Sequence, residues 1–240
     1  MPDAPPELTL IDEFVQAACD GRLNDLKRLL PSVDVNAAAS DRFGRCTALI
    51  HAVANQRSDC VEWLLSEAQA DPNCRLAYGT NALMHAVDYG DPTCVALLAP
   101  VTDLLARSEP GNDPDRSDKT ALRRAARSIK RESTDKGRNR RTQVVAIIAS
   151  HMSAEARDAQ FREAVSDNSL VEAEALGVHA RDAAIAETCS ALLAKNPKSK
   201  APQRMPKAFA RFEQNALASD AGLQPGSQST ERSPARAARL

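Results

Sequence analysis

The stretch Thr47-Ala48-Leu49-Ile50-His51-Ala52-Val53 recurs as Asn81-Ala82-Leu83-Met84-His85-Ala86-Val87, an offset of 34 residues. Cys60-Val61-Glu62-Trp63-Leu64-Leu65 then recurs as Cys94-Val95-Ala96-Leu97-Leu98-Ala99 at the same offset. Self-similarity at a fixed period of this size marks a repeat architecture. Leu49, Ala52 and Val53 form one apolar stripe at helical spacing, and Val61, Leu64 and Leu65 form a second. Each unit therefore reads as two short helices joined by a tight turn. Neither helix buries its stripe alone, so neighbouring units must stack.

The same grammar extends in both directions. Upstream it reads Phe14-Val15-Gln16-Ala17-Ala18, then Gly21, then Leu26 to Leu30; downstream it reads Thr120 to Ala126, then Val144 to Ala149. Alanine at 17, 52, 86 and 125 lets successive first helices approach closely. Asp59 and Pro92 open second helices, where an acid meets the positive helix end and proline is tolerated. The fourth unit is stretched: a Pro/Asp/Ser-rich loop over 104–119 precedes it, and some 11 extra residues around Lys130–Arg138 separate its helices. A fifth, degraded unit follows, because Phe161, Ala164, Asp167, Leu170 and Leu176 repeat the spacing of Phe14, Ala17, Asp20, Leu23 and Leu29. A further helix over about 180–195 carries Ile185, Cys189, Leu192 and Leu193 on one side. The expected units are 8–43, 44–78, 79–118, 119–152 and a degenerate 153–195. Residues 196–240 read as a basic, largely disordered tail interrupted by an amphipathic stretch over 208–218.

The repeating unit resembles the ankyrin repeat, whose signature runs Gly-x-Thr-Pro-Leu-His-x-Ala-Ala, a turn, then Val-x-x-Leu-Leu. Here it reads Gly44-Arg45-Cys46-Thr47-Ala48-Leu49-Ile50-His51-Ala52-Val53, then Val61 to Leu65, then Ala70-Asp71-Pro72-Asn73. Ala48 and Ala82 replace the usual proline, and Ile50 and Met84 the usual histidine. These changes weaken turn-to-helix hydrogen bonding without removing the fold. The resemblance implies an all-α solenoid of stacked helix-turn-helix units with a helical C-terminal cap.

Composition agrees. Of 240 residues, 43% are hydrophobic, 26% charged and 3% aromatic, with 43 alanines. Few β-branched and aromatic residues argue against a sandwich or barrel. The longest apolar run, Val144 to Ala149, is far short of the ~20 residues of a membrane helix. The start, Met1 to Glu7, shows neither the basic nor the apolar part of a secretory signal. Six single cysteines without a Cys-x-x-Cys pair suit a reducing compartment, and the expected location is cytoplasmic. No glycine-rich phosphate loop, His-Glu-x-x-His or nucleophile motif occurs, so the sequence predicts no enzyme, cofactor, metal site or small-molecule substrate.

Partner binding is the expected function. By the resemblance, ankyrin arrays recognise other proteins with finger tips and the exposed side of each first helix. The position after the signature's histidine is polar throughout: Gln16, His51, His85 and Arg124. Three and four residues on stand Cys19/Asp20, Ala54/Asn55, Asp88/Tyr89 and Arg127/Ser128, on the same helix face. The candidate contacts are thus Arg42, Phe43 and Arg45 with Tyr78 at the fingers, and His51, Asn55, His85, Asp88, Tyr89, Arg124 and Arg127 along the helices. Phe43, Tyr78 and Tyr89 are the candidate aromatic anchors, set against the alternative that each ring packs on its own turn. For the two histidines, a hydrogen bond within the fold is the competing reading.

Charge divides unevenly: residues 1–118 carry 9 basic and 19 acidic groups, whereas 119–240 carry 22 and 13. Segment 123–141 alone has nine Lys/Arg against Glu132 and Asp135. It reads either as a solvated loop balancing the acidic half or, with the tail, as a grip on nucleic acid or an anionic membrane.

Overall fold

The computed structural model describes residues 8–40, 44–76, 79–109, 119–167 and 169–195. The described residues fall into two compact units, divided after Arg181. In the first, the helices are α1 Leu10–Asp20, α2 Leu23–Leu29, α3 Ala48–Ala54, α4 Ser58–Ser66, α5 Ala82–Tyr89, α6 Pro92–Leu98, α7 Ala121–Arg131, α8 Asp135–Ser150, α9 Ala154–Ser166 and α10 Leu170–Gly177. The second unit contains α11 Asp182–Lys195, where the helix near the C-terminus was expected, with Ala184, Ile185 and Cys189 buried. The tail and the stretch 208–218 lie outside the described residues.

Side-chain caps open several of the helices. The Thr9 hydroxyl accepts the Asp12 amide while the Asp12 carboxylate accepts that of Thr9, a capping box that opens α1. The Asn81 side chain caps α5 by accepting the Met84 amide at 3.0 Å. Asp91 caps α6, and Pro92 stands at its first position, where a missing N–H costs nothing.

The turn inside the first, second, third and fifth pairs is the same bond repeated. The amides of Arg22, Arg57, Asp91 and Ser169 donate to the carbonyls of Ala17, Ala52, Ala86 and Ala164 at 2.8–3.1 Å. The preceding residue in the first three is left-handed: Gly21 at φ 80°, Gln56 at φ 56° and Gly90 at φ 64°. Glycine takes that conformation freely, whereas a side-chain-bearing residue there costs about 1–2 kcal/mol.

Stacking is in register through the first four units. First helices pack α1 on α3, α3 on α5 and α5 on α7; second helices pack α4 on α6 and α6 on α8. Leu49, Val53, Val61, Leu64, Leu83, Val87, Val95, Leu98 and Leu122 are buried between them. Each such side chain contributes about 1.5–3 kcal/mol of burial. The loops are stitched too. Asn36 Oδ1 accepts the Asp71 amide and Asn73 Oδ1 that of Asp103, both at 2.8 Å. Leu105 stands at the next asparagine position, and the ladder stops there.

The fourth unit departs from the solvated-loop expectation. Its extra residues are helical: α7 runs 11 residues and α8 runs 16, against 7 for α6. Thr134 caps α8 by accepting the Gly137 amide at 3.0 Å, and Arg138 reaches back to the carbonyl of Glu132 at 2.9 Å. Arg141 crosses to α5, donating to the carbonyls of Val87 and Asp88 at 3.3 and 3.4 Å. The base of the long loop before α7 is closed by an antiparallel bridge between Arg107 and Thr120.

The degenerate fifth pair exists but docks differently. Its second helix, α10, lies along α7, a place that first helices occupy in the earlier units. Only His151–Ser153 separate α8 from α9, so no finger loop intervenes. Instead α9 meets the base of the fourth finger through side chains, with Thr120 Oγ1 donating to Gln160 Oε1 at 2.6 Å.

Candidate partner-binding surface

The column after the signature's histidine position sits at the rim of the core: Gln16, His51 and His85 are half-buried and Arg124 is buried. His85 Nε2 lies 3.3 Å from Thr80 Oγ1, which holds the ring against the base of its finger. Asn55 is exposed, and its amide donates back to the His51 carbonyl at 2.9 Å. Tyr89 ends α5 with 48% of its surface exposed, one of a few large hydrophobic side chains so open among the described residues. Arg45 is exposed in the turn with Gly44, its backbone left-handed at φ 54°. Arg42, Phe43 and Tyr78 lie outside the described residues.

The structure brings two candidates together as a pair. Arg124 Nη2 donates to Asp88 Oδ2 at 2.5 Å, tying α7 to α5. The Arg124 side chain is 3% exposed, so its charge is spent inside the array. Arg127 is half-buried and points the other way, to Glu172 Oε1 at 2.9 Å.

Glu172 belongs to a cluster that reading the sequence missed. Arg123, 1% exposed, meets Glu172 at 2.7 Å, Asp167 at 2.8 Å and Glu163 at 3.0 Å. Arg107, at the finger base, also reaches Glu163 at 2.6 Å. Burial alone would pull the Arg123 pKa down; the surrounding carboxylates outweigh it and hold the guanidinium more firmly protonated than usual. A signal was present. Arg123 occupies the position of Ile50 and Met84, both buried, and a charge there demands a buried counter-charge.

All six cysteines are free thiols, and burial pushes those of Cys46, Cys60, Cys74, Cys94 and Cys189 up, away from the reactive thiolate. Among the described residues, no three His, Cys, Asp or Glu side chains group to hold a metal. A hollow of about 120 Å³ lies between Leu8, Glu13, Gln16 and Arg28, smaller than the ~300 Å³ where ligand pockets begin. No described helix is long and apolar enough to cross a membrane.

Helix-turn-helix units packed first helix on first helix and second on second define a stacked-repeat protein, built to present one continuous face. Residues 14–105 match the family model of ankyrin repeats in three copies, so that part of the chain carries ankyrin repeats. Its fold is similar to the crystal structure of the ankyrin repeat domain of Bcl-3, a unique member of the IkappaB protein family. The TM-score is 0.52 at 20% identity, over 82% of this chain and 85% of that one. At that identity the likeness speaks for the fold alone. No curated protein matches the chain by sequence. Ankyrin repeats are a general protein-protein interaction module.

Proposed function

We propose that this protein is a non-enzymatic adaptor that binds another protein along the exposed side of its first helices and its finger loops. The observation that supports this best is Tyr89, 48% exposed at the end of α5, the position equivalent to exposed Asn55 at the end of α3. A rigid aromatic on a scaffold loses little entropy on contact, and such residues dominate many interfaces. His51 and His85 line the same rim, and Arg45 extends it toward the fingers. Asp88 and Arg124 fix α5 against α7 and so set the spacing of the contacts. The free thiols suit a cytoplasmic setting.

The reading of segment 123–141 as a phosphate grip draws less support. Arg123, Arg124, Arg127, Arg138 and Arg141 all engage carboxylates of the chain itself.

Affinity capture from cell extract tests the adaptor reading. Tyr89→Ala with Asn55→Ala should lose captured proteins while helicity and Tm stay near wild type. Retention of every partner by that variant would sink it.

A further inference from the structure

We propose that the hairpin formed by the end of α7 and the start of α8 binds an acidic segment of the partner protein, next to Tyr89. This rests on the adaptor reading and adds the chemistry of the partner.

The first ground is the charge that survives folding. Segment 123–141 holds nine cations and two acids, a net of +7. Asp88, Glu163, Asp167 and Glu172, all outside it, pair with Arg123, Arg124 and Arg127. Removing these four, and adding back Arg107, which shares Glu163, leaves +4, and Lys130, Lys136 and Arg140 are exposed at the hairpin end. Lys136 and Arg140, four apart on α8, share a helix face.

The second ground is rigidity and placement. Arg141 bonds the last carbonyls of α5 and pairs with Glu132 across the hairpin at 3.4 Å. The hairpin is therefore clamped to the residues just before Tyr89, continuous with the proposed contact face. Cations on a pinned helix pair lose less freedom on binding than cations on a loop.

The same count favours discrete carboxylates over a phosphate chain. Duplex-DNA binders whose affinity falls steeply with salt make about 6–10 phosphate contacts, more than Lys130, Lys136 and Arg140 can supply. Glu132 and Asp135 at the turn would also oppose a continuous polyanion, whereas spaced carboxylates can avoid them.

The test is fluorescence anisotropy on the full chain. The probe is a labelled twelve-residue peptide of alternating Glu and Ser, with its Gln/Ser counterpart as control. Unlabelled 20-base-pair duplex DNA and phosphatidylserine vesicles serve as competitors. The Glu peptide should bind at least tenfold tighter than the Gln peptide. Lys130→Glu/Lys136→Glu/Arg140→Glu, with the neutral Gln triple alongside, should remove most of that preference at unchanged Tm. Equal binding of both peptides, wild-type affinity in both triples, or displacement by DNA or vesicles at lower anion concentration would each overturn the proposal. In extract capture, a charge-reversed triple that keeps every partner lost by the Tyr89 variant would also overturn it while leaving the adaptor reading standing.

Discussion

Units two and three and the fifth pair solve the same packing problem with opposite chemistry. In the former, Leu49, Ile50, Leu83 and Met84 fill the space between first helices with apolar side chains. At the fifth pair the corresponding joint is ionic, with Arg123 enclosed by Glu163, Asp167 and Glu172. Apolar contact tolerates any neighbour that fits, so identical units can follow one another. A buried guanidinium accepts only a neighbour bringing carboxylates to defined places, so α10 takes the position along α7. The ionic joint ends the series of equivalent units.

The largest effect should come from breaking the ionic joint one-sidedly. Glu172→Ala leaves Arg123 buried with fewer partners and should cost about 3 kcal/mol or more in urea unfolding. Arg123→Met with Glu172→Met should recover most of that, because an apolar pair of similar volume often replaces a buried ion pair without loss. If the double variant is as unstable as the single one, the two joints are not interchangeable. Leu83→Ala, in the apolar joint, should cost about 3 kcal/mol by opening a cavity, with little dependence on salt. Hydrogen exchange should then show α3–α6 loosened together, whereas Glu172→Ala should expose α9 and α10 first.

Smaller effects sharpen the likeness among the early units. Gln56→Gly should stabilise by about 0.5–1 kcal/mol in a thermal melt, since units one and three carry glycine in the same left-handed turn. No gain would mean that Gln56 makes a compensating contact. At the N-terminal unit, the Ser40 amide on Asp12, aided by Thr9, holds its carboxyl below the usual range despite burial. A depressed carboxylate contributes stability that is fully present above the unfolded value of about 3.9 and is lost as pH falls through the folded value. Asp12→Asn should therefore flatten part of the acid limb of the stability profile and leave the slope above pH 5 unchanged.

Much of this was legible in the sequence. The offset of 34, the alanines at each inter-helix contact and Pro92 at the start of a second helix are local or periodic, and local chemistry acts the same wherever the unit stands. Arg123 was legible in principle, as a charge in an apolar column. The hairpin was not. Its turn, Ser133-Thr134-Asp135 with Gly137, is made of weak helix formers, and Arg141 secures it on carbonyls more than 50 residues away. Of the binding face, the sequence marked the columns but not their state. Arg124 and Asp88 stood in it as contacts, and only folding turned them into an internal pair.

The sequence by itself determined the repeating helix pair and the way equal pairs stack, because an apolar stripe of fixed period has one economical partner, its own repeat. Tertiary structure decided which charges were consumed in the joints and which still face a partner. Electrostatic pairing depends on distances between residues far apart in the chain, and periodicity carries no record of those.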